Sequence, residues 1–424
     1  MQKPFGKTKE IVDGLLKPAV QFLAQSEDTA KQLRAGTLSN YIAVMDDVAD
    51  AMDSPTPKIA LFEHGITPQL FYAFDCAPLC LEAYPGIFAA ASMDTVYDFL
   101  SAADEAGMPS EICSTDRFLV GAVLRGEMPD NAFYVTTTAP CDGTRLVYPI
   151  MQKATQNPLC YIEAPFSHNR EAARYFGQQI KAELIPFLES VTGIKFDIDK
   201  FREVIQESNK SLELMFDIND THKVRPAPHR AALKRAPWQG YIMQAGLPRL
   251  TKSLTELRDD AVRRIGASRP ESKYEEKYRV LWFHVPPLYN NELYGWMEKK
   301  LGASVFFGQS YTMLDPIDTT SLDTMLEGFA MQGLTLTMSI MRLDSEALTR
   351  EALTCYRMYD CDCMIITQHV GCNSICGARG VIRDYLRKEN IPALFLALDY
   401  NDDRVLPLEA MQAKIEEFFE AVMH

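Results

Sequence analysis

Residues 131–138 read NAFYVTTT and residues 158–166 read PLCYIEAPF. Both runs are β-branched and aromatic, both have strand length, and helical spacing precedes and follows each. Strands that alternate with helices are joined by crossovers, so they pair in parallel and bury both faces of the sheet under helices. Towards the N-terminus, KIALFEHGI opens with a short strand and turns at Gly65, with helical spacing from Pro68 to Phe74 and from Thr95 to Ala106. Towards the C-terminus the same rhythm returns with YRVLWFHV, SVFFG, CMIITQHVG and IPALFLALD. The expectation is an α/β fold with two doubly wound parallel sheets of Rossmann or flavodoxin type. A first unit covers 55–167 and a second covers 273–424. Residues 1–54 form a helical extension, and 168–272 a helical segment broken by RPAPHR. Only the rhythm relates the two units.

The chain has 424 residues, 47% apolar and 24% charged, in broken rather than continuous apolar segments. That profile is globular, with cores large enough to need no disulfides. The lysine-bearing start MQKPFGKTKEIVDGLLKPAVQFL is expected to be neither a secretory signal nor a membrane span, which points to the cytoplasm. A formal charge of -14 speaks against a nucleic-acid partner, which needs a basic face. No GxGxxG, P-loop or GxSxG sequence is present.

Ten cysteines without an export signal suggest thiols, metal ligands or a nucleophile rather than disulfides. Cys141 follows NAFYVTTTAP and Cys372 follows CMIITQHVG, so both lie beyond strand ends, where doubly wound sheets bind ligands. Cys113 lies in a loop that starts a helix, and a helix N-terminus stabilises thiolate charge. Three such loops can converge on one cluster without any CxxC, although spacing alone leaves them open to being ordinary loop cysteines. Cys372, Cys376 and His369 imitate part of a zinc site, but the second ligand pair is missing. Cys76, Cys80, Cys160 and Cys355 are expected to pack in cores. His64, His284 and His369 are candidates for catalysis, with His64 the one carried forward beside Glu82, although each taken alone is better expected to be a satisfied core or loop histidine.

The phrases EICSTDRFLVGAVLRG, TTTAPCDG, ITQHVGC, VTGIKFDIDKFREVIQESN, RPAP, EEKYRVLWFHVPP and IPALFLALDYNDDRVLP occur between about residue 58 and the C-terminus. Together they resemble the 2-hydroxyacyl-CoA dehydratase and benzoyl-CoA reductase subunit family. The resemblance implies α/β domains and a [4Fe–4S] cluster held by three cysteines, which match Cys113, Cys141 and Cys372. It also implies a glutamate near the cluster, matching Glu82 in FDCAPLCLEA. A small polar residue of that family, serine in some dehydratases, falls at or near His64, a departure from the pattern.

The implied activity is elimination of water from a 2-hydroxyacyl-CoA. One added electron makes a ketyl radical anion that expels the 2-hydroxyl group and acidifies the β-position. A carboxylate such as Glu82 shuttles a proton, and a free iron acts as Lewis acid. The implied partners are a related second subunit and an ATP-dependent iron–sulfur activator, which fits the missing P-loop. The alternatives are a benzoyl-CoA reductase-type subunit and a subunit that only relays electrons. A double-cubane enzyme would carry a paired-cysteine loop after SVFFGQSY, and none is present in the sequence.

Overall fold

The computed structural model describes residues 4–138, 141–308, 314–336 and 345–423. Its strands form two four-stranded, all-parallel sheets, with β1 Ile59–Phe62, β2 Ala77–Cys80, β3 Ala132–Thr137 and β4 Leu159–Ile162 in the first. The second holds β5 Tyr278–Phe283, β6 Ala303–Phe307, β7 Cys363–His369 and β8 Ala393–Leu398. The fold is therefore the expected pair of doubly wound sheets. The run 131–138 is β3, and it pairs in parallel with both β1 and β4. Ala139 and Pro140, which end that run in the sequence, lie outside the described residues, as do residues 309–313 after β6.

The strand orders are β2-β1-β3-β4 and β6-β5-β7-β8, the same pattern twice. In each, the chain steps from its first strand to one side and then crosses to the other. The crevice at that reversal lies between β1 and β3 in one sheet and between β5 and β7 in the other, beyond the strands' carboxyl ends. The central strands are buried along their whole length, which is why IALF, AFYVTT and CMIITQH read as continuous rather than alternating apolar runs.

One apolar cluster lies on each face of each sheet. The N-terminal helix Thr29–Ala51 is capped by Asp28, whose carboxylate accepts the Ala30 N–H, and it packs with the middle helices Ala231–Gln244 and Pro248–Gly266. The helix Leu322–Thr335 follows β6 in the chain, yet it packs on the first sheet's core through Met325, Leu326, Phe329 and Ala330. Arg279 is fully buried inside β5. Its guanidinium donates to the carbonyls of Lys223 and Tyr359 and pairs with Glu276 at 2.6 Å, fastening the end of the middle segment to the second sheet.

Candidate active site

Three loops build one cavity of about 230 Å³. Cys113, Cys141 and Cys372 all line it, together with Asp116, Leu146, His284, His369 and Tyr400. The sequence places these cysteines on separate loops, and the fold brings them to one wall. Cys113 caps the helix Ser114–Leu124, and Cys372 caps the helix Asn373–Lys388.

Two glycines let the loops close. Gly371 has φ of 87°, and a Cβ there would fall 2.8 Å from the Cys113 nitrogen. A Cβ on Gly143, two residues after Cys141, would fall 1.8 Å from a carboxylate oxygen of Asp116. Any side chain at either position would push the cysteine loops apart. Asn373 Nδ2 donates to Asp142 Oδ2 at 3.3 Å, which ties the Cys141 loop to the Cys372 loop.

A clasp from the second sheet fixes Cys113. Beyond β8, Asp399 accepts the Ser114 hydroxyl at 2.6 Å, and Thr115 donates to Tyr400 Oη at 2.8 Å. Asn401 Nδ2 reaches both hydroxyls, at 3.2 and 2.9 Å. Cys113 Sγ itself lies 3.2 Å from His369 Nε2 and 3.5 Å from Tyr400 Oη. Cys372 instead receives backbone N–H groups from Ser374 and Ile375 at its helix start, which oppose the upward push of burial on its thiol.

The three sulfurs sense one another. Burial pushes the Cys141 thiol well up, and the charges of Cys372, Asp116 and Cys113 add to it. Cys113 is likewise raised by burial and then by Asp116. Burial favours the neutral thiols, so holding all three together as thiolates would take a cation to compensate them. Their soft sulfur donors, held at separate loop ends, suit an iron–sulfur group. Cys376, about one helical turn from Cys372 and so the other cysteine that could serve as third ligand, is exposed, points Sγ at the His369 carbonyl 3.4 Å away and does not line the cavity. Cys160 lies within β4 and Cys355 within the helix Ser345–Met358, both buried in core clusters as expected.

A second group lies at the strand ends of the first sheet. His64 Nδ1 is 3.7 Å from Glu82 Oε2, and Cys80 Sγ is 3.6 Å from the same oxygen. The three ligand atoms lie within 4.8 Å of one another. Tyr148 Oη donates to Glu82 Oε1 at 3.5 Å. Burial pushes the Glu82 carboxyl up to about 8 and the Asp116 carboxyl to about 7, and it pulls the His64 imidazole down to about 4. Glu63, missed in the sequence, is fully buried beside them. Its Oε1 accepts the Thr137 N–H at 3.1 Å and the Thr137 hydroxyl, and burial with the Glu82 charge holds its carboxyl well above the usual range. Glu82 and Cys141 also interact electrostatically, so this group adjoins the cysteine cavity.

Two of the three histidines contradict their expectation. His64 and His284 are buried with no hydrogen-bond partner on either ring nitrogen among the described residues, so neither is a satisfied core histidine. Each such nitrogen costs about 1–3 kcal/mol. His369 lies 3.2 Å from the Cys113 sulfur through Nε2 and 3.8 Å from Asp399 Oδ2 through Nδ1. Asp116, Tyr400 and Asp399 carried no sequence signal beyond their nearness to strand and helix ends.

Residues 66–422 match the family model of the 2-hydroxyglutaryl-CoA dehydratase D-component. The chain belongs to that family. It is also 23% identical over 352 residues to one of the subunits of benzoyl-CoA reductase from Thauera aromatica, covering 76% of this chain and 78% of that one. Among the described residues, no helix of this family member is long and apolar enough to cross a membrane.

Proposed function

We propose that this chain is the subunit of an (R)-2-hydroxyacyl-CoA dehydratase in which Cys113, Cys141 and Cys372 hold a [4Fe–4S] cluster. The observation that carries the reading is the convergence of these three cysteines, from loops up to 259 residues apart in the chain, on one cavity beside a buried acid pair. The cluster, when bound, supplies a single low-potential electron and an iron that three cysteines leave free as a Lewis acid.

Proton movement falls to the first sheet. At neutral pH the buried Glu82 carboxyl keeps its proton, because its titration lies near 8. It can give that proton to a leaving hydroxyl and then, as the carboxylate, take up the β-proton, so that water leaves and the carboxyl is restored. His64, kept neutral by burial, lies beside the carboxyl with Nδ1 3.7 Å from Glu82 Oε2. Glu63 keeps the site acidic, since two adjacent buried carboxylates do not both ionise.

A related second subunit and an ATP-hydrolysing iron–sulfur activator complete the proposed enzyme. The name of the family, a component, and that of the relative, a subunit, support the first partner. The same relative's name supports a second reading, a reductase acting on benzoyl-CoA or a similar thioester. An anaerobic assay of the complex with activator and ATP, offering 2-hydroxyglutaryl-CoA and benzoyl-CoA separately, tests both. Loss of water from the hydroxyacyl thioester is the expected result. Ring reduction of benzoyl-CoA alone would select the second reading, and turnover by this chain without ATP or partner would contradict both.

A further inference from the structure

β5 ends at Phe283, and the next residue, His284, turns into the left-handed region with φ of 69°. Glycine adopts that conformation freely and a side chain adopts it at some cost, and such a residue at a ligand-binding edge is often one the site requires. His284 is 4% exposed, and neither ring nitrogen has a hydrogen-bond partner among the described residues. It also lines the cavity of the three cysteines, next to the reversal between β5 and β7. Strain, burial and unpartnered nitrogens thus coincide in one residue that faces the cavity.

The two cavity histidines differ in a way that separates their roles. His369 is already committed, with Nε2 at 3.2 Å from Cys113 Sγ. An imidazole that ligates a metal nearly always donates its other ring nitrogen to a carboxylate or carbonyl, which fixes its tautomer. His284 has no such group among the described residues, so it is not prepared as a permanent iron ligand. It is an N–H donor that lacks an acceptor until something enters.

We propose that His284 donates its ring N–H to the carbonyl oxygen of an acyl thioester whose acyl end enters this cavity. The assignment rests on the acyl-CoA reading above and identifies a residue that recognises the thioester itself. The cavity of about 230 Å³ would be shared with the cluster and is below the roughly 300–1,000 Å³ of whole small-molecule sites, so only the acyl end can reach His284 and the nucleotide stays outside. The group recognised is the carbonyl, which free CoA and a CoA thioether both lack.

The test uses the anaerobically purified complex, iron-loaded, without activator or ATP, so that nothing turns over. Dissociation constants are measured for benzoyl-CoA against its benzyl thioether, and for 2-hydroxyglutaryl-CoA against the matching thioether. Iron per chain and the melting temperature are recorded for each variant. In the unaltered protein the thioester should bind about tenfold more tightly than the thioether, the scale of one hydrogen bond made in a dry site. His284→Ala and His284→Gly should lose that preference while keeping iron, and His284→Gln should retain part of it. His284→Gly should melt no lower than the unaltered protein, because it relieves the left-handed strain; a residue kept only for packing would destabilise on removal. An unchanged thioester preference in His284→Ala overturns this inference alone, and so does loss of iron in that variant. An iron-loaded wild-type complex that binds neither thioester overturns the acyl-CoA reading together with it.

Discussion

In the first sheet the loops beyond β1 and β2 carry Glu63, His64 and Glu82. In the second, with the same strand order, the loops beyond β5 and β8 and the end of β7 carry His284, His369, Asp399 and Tyr400. Both sets sit at carboxyl ends of strands around a topological reversal. One edge holds carboxyls that burial keeps protonated, and the other holds imidazole and phenol groups aimed at a sulfur or at open space. The cysteines come from both, two from the half of the chain that carries the first sheet and one from beyond β7. In the proposed enzyme, one architecture used twice would divide the work, with proton handling on one side and hydrogen bonding to sulfur and ligand on the other.

The largest effect expected is on the shared wall. Replacing Cys113, Cys141 or Cys372 with serine should abolish turnover, whereas Cys160→Ser and Cys355→Ser, inside a strand and a helix, should leave it largely intact. Equal loss in both sets would erase the distinction between loop ends and elements. Next comes the acid side. Glu82→Gln should lower turnover by about 10²–10⁴-fold, the range for a general acid–base group, with iron content unchanged. Retained activity in that variant would move the proton chemistry to Glu63.

The imidazole side should show itself in potential rather than in iron content. Hydrogen bonds to a ligating sulfur favour the more negative, reduced state. His369→Leu and Tyr400→Phe, which remove the neighbours of Cys113 Sγ, should each lower the cluster's midpoint potential by on the order of tens of millivolts. Redox titration followed by EPR measures it, and an unchanged or raised potential would break the proposed division of roles.

The smallest effect concerns the metal-free chain. Glu82 binds its proton up to about 8 in the folded protein, against an ordinary value of 4.5. Between those values the folded state holds more protons than the unfolded one, so this contribution to stability is complete below about 4.5 and is lost as pH rises towards 8. Chemical denaturation across that window should show a decline that Glu82→Gln flattens; an identical slope in both proteins would place the carboxyl in contact with water.

Much of this was legible in the sequence, and the limit has a physical cause. Parallel strands buried on both faces leave continuous apolar runs, so NAFYVTT and CMIITQH announced themselves and placed Cys141 and Cys372 beyond their ends. Cys113 was legible as a helix start. Whether a histidine is satisfied is not a local property: it depends on which groups from distant elements reach its nitrogens, and for His64 and His284 none does among the described residues. The clasp of Asp399, Tyr400 and Asn401 on Ser114 and Thr115 spans about 285 residues, and no spacing rule reports such a contact. The helix Leu322–Thr335 was hidden for the same reason, because its apolar face suits either sheet and only the fold assigns it to the first.

The central claim is that three thiolates from both halves of the chain hold one cluster. Iron and acid-labile sulfide analysis of the anaerobic protein, with EPR after reduction, tests it directly when run on Cys113→Ser, Cys141→Ser, Cys372→Ser and Cys376→Ser alongside the unaltered chain. The unaltered chain should hold about four irons and four sulfides, the first three variants should lose iron, and Cys376→Ser should give a normal signal. A cluster that survives Cys372→Ser and disappears in Cys376→Ser would contradict the third ligand, and full iron in all of the first three variants would contradict the claim itself.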